Sequence, residues 1–191
     1  MVHSVNRSVK FSISAGALIV FSLLLLIIPL RWLAAFVCAS VVHEVFHGVV
    51  IFLFGGSIRH VHVGATGTVM NTDVAGGIQE ILCAAAGPIA SFSLVLLADR
   101  FPRLAVCGFV HGLYNMLPLF PLDGGRILKN ILYVIFQPNH AGRIFYIIQL
   151  CFCAIILAAC VMSAIQIGIG PLFLGILLLR RYREENCLAN Q

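Results

Sequence analysis

His43, Glu44 and His47 form a His-Glu-x-x-His group inside a run that otherwise reads as membrane-spanning helix. At helical spacing His43 and His47 share one face, so both imidazoles can reach a single metal ion. Glu44 follows the first ligand directly and can take a proton from a water held at that ion. It points away from the histidine face by roughly 100°, which favours general base over ligand. Two histidines and a carboxylate are expensive at mid-depth in lipid, and ionisable groups there are usually functional.

A third ligand is offered by residues 115–126, Asn115-Met116-Leu117-Pro118-Leu119-Phe120-Pro121-Leu122-Asp123-Gly124-Gly125-Arg126. Pro118 and Pro121 remove backbone donors and break the helix, while Gly124 and Gly125 permit turns closed to other residues. Membranes tolerate such a break where protein or a polar cavity surrounds it, so Asp123 can swing toward the two histidines. Two imidazole nitrogens and one carboxylate oxygen, with a fourth position open, make a catalytic zinc site. Alternatives stay open on the residues alone. Asp123 can instead cap a short helix beginning near Arg126, and Asp73 and Glu80 are rival ligands that lack a matching backbone break. His60 and His62 point the same way on a strand, but an interfacial polar face is the simpler reading of that pair. His111, at mid-span, reads as a buried hydrogen-bonding group beside the site.

The elements that must bring these groups together are written in the hydropathy. Of 191 residues 61% are hydrophobic and 10% charged, and the mean hydropathy is +1.04. These values point to an all-α polytopic membrane protein and away from a soluble domain. We expect a single domain over residues 1–191 with about six transmembrane helices. The expected spans are residues 11–30, 32–54, 81–98, 104–122, 144–165 and 167–179, the fourth broken by the Pro-Gly segment. Residues 55–77, rich in Gly, Thr and Val, suggest a small interfacial β-hairpin with an edge that an extended substrate can join. Residues 84–91, mostly Ala and Gly with Pro88 and Ser91, let neighbouring helices approach closely. A lesser reading of that stretch is that it makes room beside the metal for a substrate backbone.

The net charge of +5 does not indicate nucleic acid, because the cations punctuate apolar segments rather than forming a patch. With six crossings, Arg7, Lys10, Arg59, Arg126, Lys129, Arg143, Arg180, Arg181 and Arg183 fall on the cytoplasmic side, against Arg31, Arg100 and Arg103 opposite. Both termini are then cytoplasmic. The seven cysteines form no Cys-x-x-Cys pair and read as small hydrophobes.

On these residues the chain resembles the site-2 family of intramembrane metalloproteases, most closely the bacterial branch containing the stage IV sporulation protease, which matures a membrane-associated sigma-factor precursor. The resemblance implies that His43, His47 and Asp123 bind one catalytic Zn2+, that Glu44 is base and proton shuttle, and that Asn115 helps to position substrate. It implies a multi-pass protein of the bacterial cell membrane acting on a membrane-embedded or membrane-associated protein, such as a transcription-factor precursor. A membrane regulatory protein is a further expected partner. Where the family often carries Asn, this chain has Ser91, which weakens any expectation of polar help from that helix. Neither the nucleotide-sensing module of many sporulation-branch members nor a PDZ insertion is expected. The alternative reading is a metal or small-solute transporter, since broken helices and buried ionisable groups also serve alternating access.

Overall fold

The computed structural model describes residues 10–64, 67–72 and 76–167. Strand β1 (Lys10–Ile13) leads into α1 (Ala15–Ile27) and α2 (Leu30–Leu53), followed by β2 (Ile58–Gly64) and β3 (Gly67–Thr72). Then come α3 (Ile78–Ser93), extended by a 3-10 turn over Leu94–Leu97, α4 (Pro102–Asn115), α5 (Asp123–Ile135) and α6 (Pro138–Ile167).

The expectation of six transmembrane helices is not met. Among the described residues, three helices are long and apolar enough to cross: Leu30–Leu53, Ile78–Leu97 and Pro138–Ile165. They make the chain a multi-pass membrane protein. Helix length, rather than hydropathy, removes the others. α1 has 13 residues and reaches only ~20 Å, short of the ~30 Å hydrocarbon core. Its apolar run is longer than its helix because the run starts in a strand and ends at Pro29. The fourth apolar run leaves the helix at Asn115, so α4 has 14 residues. α5 carries Asp123, Arg126 and Lys129 and is amphipathic rather than apolar. Residues 168–179 of the expected sixth span lie outside the described residues. The assignment of both termini to the cytoplasm rests on the count of six and does not follow from three.

β2 and β3 pair antiparallel, with Val61 opposite Met70 and Val63 opposite Thr68. A third strand joins them: β1 runs parallel to β2, with Lys10 opposite His60 and Ser12 opposite His62. The sheet order is β1-β2-β3. α2 reaches this sheet through Gly55, whose φ of 72° lies in the left-handed region and lets its N–H donate to Phe52 O at 2.9 Å.

The core lies where α2, α3 and α4 meet on small side chains. Ala39 of α2 packs with Leu94 and Cys107, and Cys83, Ala84, Ala86 and Ala90 of α3 are buried. A Cβ at Gly108 of α4 would come within 2.7 Å of Ser91 O, so the α3–α4 approach is set by the glycine. Residues 116–122 then fold back over the start of α5. Gly124 and Gly125 are required there, because a Cβ on either would overlap the backbone of Met116 or Leu119. From α6, the buried Gln149 holds this loop. Its Oε1 accepts the Phe120 N–H at 2.9 Å, and its Nε2 donates to Pro118 O at 2.6 Å.

Candidate metal centre

α2 contributes His43 and His47 one helical turn apart, and the first residue of α5 contributes Asp123; all three are buried. His43 Nε2 lies 3.0 Å from Asp123 Oδ2, His47 Nε2 lies 3.1 Å from the same oxygen, and the two Nε2 atoms are 3.1 Å apart. The three atoms form a nearly equilateral triangle. A tetrahedral zinc bound at ~2.0–2.1 Å separates its ligand atoms by ~3.3 Å, so the triangle is of the right size for one ion.

The protonation pattern leads to the same fit. His47 Nδ1 is 2.7 Å from Cys83 O, which can only accept, so Nδ1 carries a proton and Nε2 of the neutral ring is an acceptor. His43 Nδ1 is held by Ser91 Oγ at 2.9 Å, which leaves its Nε2 to face the same point. Burial alone would raise the Asp123 carboxyl. In the metal-free site, hydrogen bonds from the two imidazoles and the Arg126 guanidinium outweigh it and hold it well below the usual carboxylate range. With both rings in that tautomer three acceptors converge, a donor set that a bound cation satisfies and that a proton on Nε2 satisfies otherwise. Imidazole, imidazole and carboxylate suit zinc, and second partners on Nδ1 are the usual way of orienting such ligands. Among the described residues this is the one His/Cys/Asp/Glu group with metal-ligand spacing.

Asp123 has its other oxygen tied down. Arg126 Nη1 donates to Oδ1 at 3.3 Å, and Arg126 is itself forked onto Glu80 Oε1 through Nη2 at 2.6 Å and Nε at 3.1 Å. Glu80 is therefore an anchor for the clamp rather than a ligand. Asp123 does not cap a later helix: α5 starts at Asp123 itself and has no side-chain cap bond. Asp73 lies outside the described residues.

Glu44 sits on the adjacent stripe of α2, close enough to His43, His47 and Asp123 to interact with their charges, and its side chain bonds that of Thr68 on β3. Asn115 closes α4, and its Nδ2 donates to His111 O at 3.0 Å rather than to the three converging groups. His111 stands edge-to-face on His43, ring centroids 4.7 Å apart, and its buried Nε2 has no hydrogen-bond partner among the described residues. His60 and His62 are taken up by Ser12 Oγ, at 3.1 and 2.8 Å.

Two participants were not legible as such. Ser91, discounted for want of an amide, bonds His43 directly. Gly87 packs onto the imidazoles so closely that a Cβ would overlap His47 Nε2 and come within 2.7 Å of His43 Cε1. The small-residue stretch thus makes room beside the ion for the ligands themselves.

Residues 98–159 match the model of peptidase family M50. Over 106 residues the chain is 30% identical to a zinc metalloprotease of Methanocaldococcus jannaschii, an alignment covering 48% of this chain and 31% of that protein. The chain thus spans about a third of the curated relative it matches. The fold is similar to the solved site-2 protease from the same organism, with a TM-score of 0.70 at 20% identity, over 96% of this chain and 93% of that one.

Proposed function

We propose that this chain belongs to the site-2 protease (M50 peptidase) family, on the matches to that family model and to its relatives, and is an intramembrane zinc endopeptidase that cleaves a membrane-embedded or membrane-associated protein with Glu44 as its base. One observation carries the reading: two imidazoles of a membrane-spanning helix and a carboxylate from a distant helix start meet within 3.1 Å. An adaptor or an ordinary span has no use for that convergence.

Zinc, when bound by His43, His47 and Asp123, supplies a Lewis acid that lowers the pKa of water and polarises a carbonyl. The protein does the rest. Ser91 and the Cys83 carbonyl fix the imidazole orientations, and Arg126 holds the carboxylate in place. Glu44 accepts the proton of the attacking water and returns it to the leaving nitrogen. Thr68 steadies Glu44 from the sheet. Asn115, at the end of α4, helps to position the substrate, as the family resemblance implies. A substrate helix has its carbonyls bonded internally, so it must unwind near the cut, and the sheet is placed to hold the freed strand. The resemblance to the sporulation branch makes a membrane-associated transcription-factor precursor the first substrate to try, with a bacterial membrane and a membrane regulator as its setting.

The test is zinc-loaded protein in liposomes with candidate precursors, comparing the intact chain with Glu44→Gln. We expect a new terminus from the intact chain, at least a hundredfold less from the variant, and one zinc in both. Full activity of Glu44→Gln would remove the glutamate from the mechanism. Zinc flux across the liposome without cleavage would favour transport instead.

A further inference from the structure

Beside the metal centre, on the face of α2 that carries Glu44, lies a cavity of about 560 Å3 between α2 and the start of β2. Its wall is apolar except for Glu44: Val45, Gly48, Val49 and Phe52 come from α2, and Ile58 from β2. The volume is in the range of pockets that seat a ligand. Val49 and Phe52 are exposed on the span, so the cavity opens sideways, toward where a membrane-embedded segment would approach. Because Glu44 forms part of the wall, whatever occupies the cavity lies beside the atoms that exchange a proton.

Gly48 leaves this open hollow free of a side chain. It follows Glu44 by one turn, inside α2, where glycine is the poorest choice after proline. Among the described residues no close packing demands it: a Cβ there would meet Ile58 Cδ1 at an ordinary 3.5 Å. This contrasts with Gly87, Gly108, Gly124 and Gly125, each of which a neighbour crowds. A glycine that no described neighbour requires for packing keeps the space open.

We infer that this cavity is the specificity subsite, which seats a large apolar side chain of the substrate residue flanking the scissile bond, with Gly48 and Ile58 setting its size. The inference rests on the proteolytic reading above. It makes the preferred substrate one with Leu, Ile, Met or Phe next to the cut, rather than a small or charged residue.

The test uses the full chain in liposomes with zinc and a substrate whose cut site has been mapped on the intact enzyme, varied to Ala, Leu and Phe at each flanking position. The intact enzyme should prefer Leu or Phe over Ala at one flank by about 10–100-fold in kcat/KM, the range a hydrophobic pocket provides. Gly48→Leu, which fills the cavity, should reverse that preference while still binding one zinc. Ile58→Ala, which enlarges it, should raise the Phe-to-Leu ratio, and it serves if Gly48→Leu does not fold. If neither variant alters the preference, or no flank shows one, the subsite is wrong. If the intact enzyme cleaves none of the substrates, the proteolytic reading fails and takes the subsite with it.

Discussion

Gly87→Ala should cost the protein its metal, although local helix energetics favour the change. In a helix interior Ala is preferred over Gly by ~1 kcal/mol, and Gly87 lies inside α3. The added methyl, however, would stand 2.6 Å from His47 Cε1 and 2.7 Å from His43 Cε1, where ordinary contact begins at 3.4 Å. The His43 ring must retreat by about 0.7 Å and the His47 ring, whose Nε2 the methyl overlaps, by more, several times the ~0.2 Å tolerance of a metal–ligand distance. The rings cannot swing freely, because Ser91 and the Cys83 carbonyl hold their Nδ1 atoms. Overpacking of this kind costs ~1–3 kcal/mol, and if the cost falls on the liganded geometry it weakens zinc binding by about 5–150-fold. A competition titration against a chromophoric chelator measures that loss. Thermal unfolding of the metal-free protein separates it from a general destabilisation. A Gly87→Ala protein that binds one zinc with unchanged affinity would refute the placement of α3 against the ligands.

Other perturbations act on the supports of the same centre. Ser91→Ala leaves His43 Nδ1 without its partner at 2.9 Å and should reduce zinc affinity by about 10–100-fold, as loss of an outer hydrogen bond does elsewhere; unchanged affinity in the same titration would make the serine a packing residue. Arg126→Gln removes the fork joining Glu80 to Asp123. It should cost about 1–3 kcal/mol, read as a lower unfolding midpoint together with weaker zinc binding. Stability lost with zinc affinity intact would show that the clamp ties α3 to α5 without aiming the carboxylate.

How much of this was legible in the chain differs by element. His43 and His47 could be paired because helical periodicity is a local rule, and Asp123 stood out because two prolines and two glycines mark a break that hydropathy alone would not produce. Ser91, Gly87 and the Cys83 carbonyl reach the site through the fold, from 36 to 48 residues away along the chain for the two polar contacts, and no local pattern encodes such a meeting. Gln149 did leave a signal, an amide in an otherwise uncharged apolar run, and its burial against the loop explains it. The number of spans was overestimated for a physical reason. Hydropathy sums side chains without asking whether the backbone stays helical, so Lys10–Ile13, a strand, was absorbed into the first apolar run. The same blindness merged α4 with the loop that follows it.

The Glu80–Arg126–Asp123 clamp also decides which ions the centre can keep. In the state that the proposed base role requires, with Glu44 ionised and the imidazoles neutral, Glu44, Glu80 and Asp123 set against Arg126 leave two formal negative charges around the partly buried site. A divalent cation cancels them, whereas a monovalent one leaves a deficit and a trivalent one an excess. Each uncompensated charge costs several kcal/mol in such surroundings. In that state the scaffold favours a dication by valence, before ligand softness sorts zinc from the other dications.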